Sequence, residues 1–133
     1  LGLSNKNEMV RFYVNEQDAD SSIVEPVNYS HFVDIETTTL SEYLKINKIK
    51  RIKLFKLEAE GFEPEILEGA FHVLSNIDYI AFDGGYERGQ NQDETFSQIC
   101  NFLIGNNFEM VSINFNWRRA LFQNKLLNNL AYE

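Results

Sequence analysis

From Arg51 onward the sequence changes its hydrophobic period back and forth, and that alternation restricts the possible folds more than any other feature. Residues 51–59, "RIKLFKLEA", read as a strand. Gly61 breaks it, and Pro64 opens a helical pattern, since proline is favoured in a first helical turn. Ile66, Leu67, Ala70 and Leu74 share one face of that helix. Glu65 and Glu68 lie in its first turns, near the positive end of the dipole, and Ser75-Asn76 ends it. "IDYIAFD", residues 77–83, is a short apolar run stopped by Gly84-Gly85, as expected of a buried strand.

A polar loop over residues 87–94 follows. Thr95 or Asp93 caps the next helix, whose apolar face is Phe96, Ile99, Cys100 and Leu103; Gly105-Asn106-Asn107 terminates it. Residues 108–116 and 118–124 are two strands joined by a tight turn near Asn116-Trp117. The order is strand, helix, strand, helix, strand, strand. Strands alternating with helices imply parallel pairing through right-handed crossovers. The closing antiparallel hairpin makes the sheet mixed, so the fold class is α/β.

The first third reads differently. Residues 9–14, "MVRFYV", form a strand, and residues 32–38 alternate Val33 and Ile35 against Asp34 and Glu36. These two are expected to pair antiparallel. Between them, residues 15–30 lack periodicity and form a long loop, of a length that is often functional or mobile. Thr39-x-x-Glu42 is a capping-box pattern that starts a short helix through about Ile46. Repeats, low-complexity tracts and interdomain linkers are not evident. The chain is therefore read as a single domain unit, an antiparallel pair over 1–38 and an alternating core over 39–133.

Charge and cysteine content narrow the function. Twelve basic against twenty acidic residues give a net charge of −8, which argues against general nucleic-acid binding. The cluster Lys45, Lys48, Lys50, Arg51, Lys53 and Lys56 reads as a solvated helix end and strand entry. Cys100 is the only cysteine, so intrachain disulfides and cysteine-rich zinc sites are excluded; on a helix's apolar face it is a buried structural thiol. His31, His72 and Trp117 are given no catalytic role. With no membrane-length apolar stretch and no leader pattern, the expectation is a soluble cytoplasmic protein. Leu1-Gly2-Leu3-Ser4 lacks an initiator Met, and the chain is expected to be processed, trimmed or a fragment.

The acids carry the chemistry. Ligands of open α/β sheets bind outside the carboxyl ends of the strands. Glu58 and Glu60 close one strand and Asp83 closes the next, so neighbouring strands would place all three on one edge. Such a cluster can orient a cationic or hydroxyl-bearing ligand, and a carboxylate there can take a proton from a hydroxyl. The same positions suit capping, with Glu60 and Glu63 complementing the next helix, and the residues alone leave both readings open. Hydrolysis through Mg²⁺ held on oxygens is a weaker third reading, since no histidine lies near, and no metal site is assigned.

Lys56 to Glu63, "KLEAEGFE", resembles the Lys-Ile-Asp-Val-Glu-Gly-x-Glu signature of FkbM-type methyltransferases. Thr38-Thr39-Leu40 before an acidic helix resembles the family's Thr-Thr-Leu-Asp segment, "EPEILEGA" its continuation, and Glu87-Arg88-Gly89 a recurrent loop in one branch. The resemblance spans roughly residues 1 to 125. It implies a Rossmann-like class I methyltransferase sheet, S-adenosylmethionine as cofactor, and O-methylation of a hydroxyl on a sugar or secondary metabolite. Carried over residue by residue, it implies Glu58 and Glu60 as catalytic, with Asp83, Glu87 and Arg88 bordering the acceptor.

Two departures stand out. Glu58 replaces the family's Asp and Ala59 its Val, which moves one carboxylate outward by about 1.5 Å on standard bond lengths. The family's Gly-rich turn, Asp-x-Gly-Ala-Asn-x-Gly, has no counterpart near the start of this chain. The expectation is a domain truncated at its N-terminus, with weak or absent cofactor binding by this chain alone. Residues 51–58 would then be an exposed edge strand, with Ile52, Leu54, Phe55 and Leu57 losing cover, and a homodimer could form there. The alternative function is a non-catalytic interaction or assembly module derived from a methyltransferase half-domain.

Overall fold

The computed structural model describes residues 1–18 and 20–127. Gly2–Leu3 (β1), Glu8–Val14 (β2) and His31–Thr38 (β3) make a three-stranded sheet in the order β1-β3-β2. The expected antiparallel pair is present, with Val10 opposite Ile35 and Phe12 opposite Val33. The sequence reading did not find β1, which runs parallel to β3; two residues are too few to show a period. The long loop is tied down midway by a bridge between Tyr13 and Ser22.

Leu40–Ile46 (α1) begins as the capping pattern requires, the Glu42 amide donating to Thr39 Oγ1 at 3.0 Å. Ile52–Leu57 (β4) leads into Glu63–Gly69 (α2), with Pro64 in the first turn. The single helix expected from Pro64 to Asn76 is two segments, because α2 stops at Gly69 and a 3₁₀ stretch covers Phe71–Asn76. The cause is tertiary. Ser41 Oγ donates to the Gly69 carbonyl at 2.9 Å, and Val73 N bonds Ala70 O instead. Gly69 also has no room for a Cβ, which would overlap the Ser4 carbonyl. That contact seats the small sheet on α2. The expected apolar face survives the break: Ile66, Leu67, Ala70 and Leu74 are all buried.

Ile77–Asp83 (β5) is followed by Tyr86–Arg88 (β6) and Asp93–Glu94 (β7), a small antiparallel pair where a plain polar loop was expected. Phe96–Gly105 (α3), Phe108–Asn114 (β8) and Arg119–Asn124 (β9) follow, with a 3₁₀ turn at Phe115–Trp117 joining the two strands. The main sheet runs β4-β5-β9-β8, parallel between β4 and β5 and antiparallel elsewhere. It is the mixed sheet with a terminal hairpin that the alternation implies. Phe122, Ile80, Ile77, Ile99, Leu103 and Phe108 form its fully buried centre.

Two members of the basic cluster serve this sheet. Arg51 Nε and Lys53 Nζ donate to the buried Asp78 carboxylate at 2.7 and 3.2 Å. Burial pushes Asp78 up, but these cations outweigh it and hold its carboxyl below the usual range. Among the described residues β4 is an edge, with β5 its only partner. Only one of the four apolar residues expected to lose cover is left largely open. Leu54 is 53% exposed, whereas Leu57 is in the core, and Ile52 and Phe55 pack against it. Leu54 is out of phase with Phe55 and Leu57 in the two-residue period of a strand. Among the described residues, no helix is long and apolar enough to cross a membrane.

Candidate functional site

The turn between β4 and α2 is built around two consecutive residues in the left-handed region, Glu60 at φ +49° and Gly61 at φ +93°. A Cβ on Gly61 would lie 2.7 Å from Arg88 Cβ and 2.9 Å from Arg88 N, so only glycine fits. Glu63 holds the turn from inside. Its side chain is fully buried; Oε1 accepts from Ala59 N at 2.7 Å and Gly61 N at 3.3 Å, and Oε2 accepts from Thr95 Oγ1 at 3.2 Å. From the other side, Ser22 Oγ donates to the Glu60 carbonyl at 2.9 Å, which brings the long loop over the turn.

This leaves the Glu60 carboxyl half-buried in a cavity of about 600 Å³. The long loop supplies Asp18, Asp20, Ser22, Asn28 and Tyr29 to its wall, and β6 and the residues after it supply Tyr86, Glu87 and Gln92. Glu60 and Glu87 line the same cavity, near enough for each to act on the other's protonation. Burial, then the charges of Glu87 and Asp20, push Glu60 up to about 7. Burial and Asp83 raise Glu87 as well. Neighbouring carboxyls disfavour each other's ionisation, so this pair holds a proton more readily than isolated carboxyls do. A group that titrates near neutrality and faces a cavity can bind a hydroxyl and take its proton.

The residues singled out from the sequence gather at one end of the sheet, but they do not all meet. Glu60 and Glu87 are in contact. Glu58 is exposed and paired with Lys56 at 2.9 Å. Asp83 accepts from Arg119 Nε at 2.6 Å and from Gly85 N at 3.2 Å, and it reaches the pair only through its charge on Glu87. Neither Glu58 nor Asp83 lines the cavity. The Arg88 guanidinium turns to Gly61 O at 2.5 Å and to both oxygens of Glu65 at 2.5 and 2.9 Å. Asp20, Ser22, Tyr29 and Gln92 were missed in the sequence. Their only signal was the length and polarity of the loops that carry them. Among the described residues, no group of three or more His, Cys, Asp or Glu is placed to hold a metal ion. Cys100 is buried, and burial followed by the charge of Glu94 pushes its thiol up to about 11, which suits a structural role.

The Glu60 proton makes stability depend on pH. The folded chain holds it to about pH 7, whereas an unperturbed glutamate releases it near 4.5. Between these values the native state binds more protons than the unfolded state, so stability falls as pH rises through the window and levels above it. Glu60→Gln removes that contribution. Urea denaturation of both proteins from pH 4.5 to 8 should show the wild type losing stability relative to the variant up to about pH 7. A difference constant across the window would count against the raised carboxyl.

Comparison with known proteins gives one match. Residues 1–111 match the model of the methyltransferase FkbM domain, covering the turn, the cavity wall and both members of the carboxyl pair. No curated protein and no solved structure matches the chain. Because the matched span takes in most of the 133 residues, the chain belongs to the FkbM methyltransferase domain family.

Proposed function

We propose that this chain forms the acceptor side of an S-adenosylmethionine-dependent O-methyltransferase of the Rossmann-like class, acting on a hydroxyl of a sugar or other secondary metabolite. The observation that carries this reading is the Glu60–Glu87 pair at the end of the parallel β4–β5 unit, facing a polar cavity. A hydroxyl entering the cavity donates a hydrogen bond to the ionised member of the pair. A carboxyl that titrates near 7 can take the proton of that hydroxyl at neutral pH. The neutral member keeps a donor for a second acceptor oxygen. Asp83 supports the pair electrostatically, raising Glu87, and Glu58 stands outside at the rim.

S-adenosylmethionine supplies an electrophilic methyl group, and the described residues do not fit its usual cradle. A backbone that approaches such a ligand closely needs free glycines. The glycines with positive φ here are Gly61 and Gly89. Gly61 is bedded on Arg88, and a Cβ on Gly89 would meet the Val24 side chain at 3.3 Å. The cavity beside Glu60 carries Asp18 and Asp20, which suits hydroxyl groups and not a carboxylate end.

A second reading, an assembly module, is favoured by one observation. Among the described residues the β4 edge has no partner on one side, and it presents Leu54. Edge lysines normally discourage strand pairing. Here Lys53 is engaged by Asp78 and Lys56 by Glu58, which lessens their repulsion of a second copy.

Calorimetry on this chain is expected to show weak or no binding of S-adenosylmethionine; a low-micromolar dissociation constant, about −8 kcal/mol, would overturn the fit described above. Where this segment is joined to a complete cofactor site, Glu60→Gln should lower turnover about 100-fold while leaving the chain at least as stable as the wild type at pH 7 and above. Full activity in that variant would remove Glu60 from the chemistry. Light scattering at micromolar concentration tests the second reading: a dimer that disappears on Leu54→Lys supports pairing at β4, and a clean monomer refutes it.

A further inference from the structure

Glu60 comes from the turn after β4 and Glu87 from β6, yet they meet. The contact that brings them together lies one residue along in each. Gly61, next to Glu60, has its backbone against that of Arg88, next to Glu87, too close to admit a Cβ. The Arg88 side chain then closes over the junction. One terminal nitrogen donates to Gly61 O and to Glu65 Oε2, at 2.5 and 2.9 Å, and the other donates to Glu65 Oε1 at 2.5 Å. The result is a two-pronged guanidinium–carboxylate fork anchored in the first turn of α2, a planar geometry that lysine cannot reproduce. Glu63 secures the inner side of the same turn through Ala59 N and Gly61 N.

We propose that Arg88 is a positioning residue: its clasp on Gly61 and Glu65 holds the β6 backbone against the β4–α2 turn and thereby sets the Glu60–Glu87 contact. It acts through those two carboxyls and does not touch the acceptor. This rests on the reading of the pair as the acceptor-binding groups, but the clasp itself can be examined without cofactor or acceptor.

The opposing signs of two effects supply the test. The groups facing Glu60 are Glu87 from β6, Asp20 from the long loop and Glu63 from α2; those facing Glu87 are Asp83 from β5, Glu63 and Asp20. All are acidic. If Arg88 served only as a nearby positive charge, its loss would raise the Glu60 midpoint. If it serves as a clasp, its loss lets the carboxyls part, and the midpoint falls from near 7 toward the ordinary range.

Carboxyl-carbon NMR titration of the whole chain, with Glu60 assigned by comparison with Glu60→Gln, reads this directly. The expected result is a fall of at least about one pH unit, a tenfold change in acidity, in Arg88→Gln. A similar fall should follow in Arg88→Lys, which keeps the charge and loses the fork. Should the Arg88 variants fail to fold, Glu65→Gln keeps Arg88 and removes its charged partner, and a fall is expected there too. An unchanged or higher midpoint in the folded variants overturns the clasp. A normal titration in the wild type removes the contact that the clasp is said to set and overturns the proposal, whereas a raised midpoint that falls in the Arg88 variants, with full turnover in Glu60→Gln of the intact enzyme, would uphold the clasp and overturn the acceptor reading alone.

Discussion

A carboxyl group with no exposed surface must find its hydrogen bonds inside the protein, and Glu63 finds three. Leaving such a group unpaired costs about 1–3 kcal/mol or more. The chain therefore has strong reason to keep Ala59 N and Gly61 N pointed inward and Thr95 alongside. Those demands fix the turn after β4, and through Thr95 they fix where α3 starts relative to α2. The left-handed backbone at Glu60 and Gly61 follows from the same constraint. With Gly61 turned this way, the backbone of Arg88 can lie against it. The carboxyl pair is thus downstream of a buried acid that takes no part in it.

The distribution of charge at this end of the sheet follows from topology. Parallel pairing of β4 with β5 puts their carboxyl ends side by side, and antiparallel β9 begins beside them with Arg119. Each nearby cation has a partner: Arg119 takes Asp83, Lys56 takes Glu58, and Arg88 takes Glu65. Among the described residues, neither Glu60 nor Glu87 has a cation within ion-pair distance. With no cation beside them, burial is the largest influence on both and raises both, so each holds its proton more readily than an exposed carboxyl does.

What was legible in the sequence was what repeats locally. The strands at 52–57, 77–83 and 119–124 and the helix at 96–105 show their period over enough residues to be recognised. Features set by distant partners were not legible. The break in the helix after Gly69 depends on Ser41 and Ser4, and the need for glycine at 61 depends on Arg88. Glu60 and Glu87 could both be named from a resemblance, but nothing in their spacing announces contact. Asp20 and Ser22 sit in an aperiodic loop, where the only clue was its length.

Whether the acids at this position cap or react turns on how three glutamates divide the work. In a continuing strand, Glu58 and Glu60 would face the same way, as every second residue does. β4 ends at Leu57, however, and the left-handed turn swings Glu60 out of that phase. Glu58 stays with Lys56 at the rim, while Glu60 faces the long loop and Glu87. Glu63 satisfies the turn's free amides with its own oxygens, so the backbone makes no demand on the Glu60 carboxyl. A side chain relieved of capping, desolvated, and placed against another acid beside a cavity is costly to the folded state at neutral pH. The fold nonetheless holds it there from both sides, through Ser22 on its carbonyl and Arg88 on the carbonyl that follows. That arrangement has a physical use if the cavity receives a hydroxyl, and none if Glu60 were only an end cap.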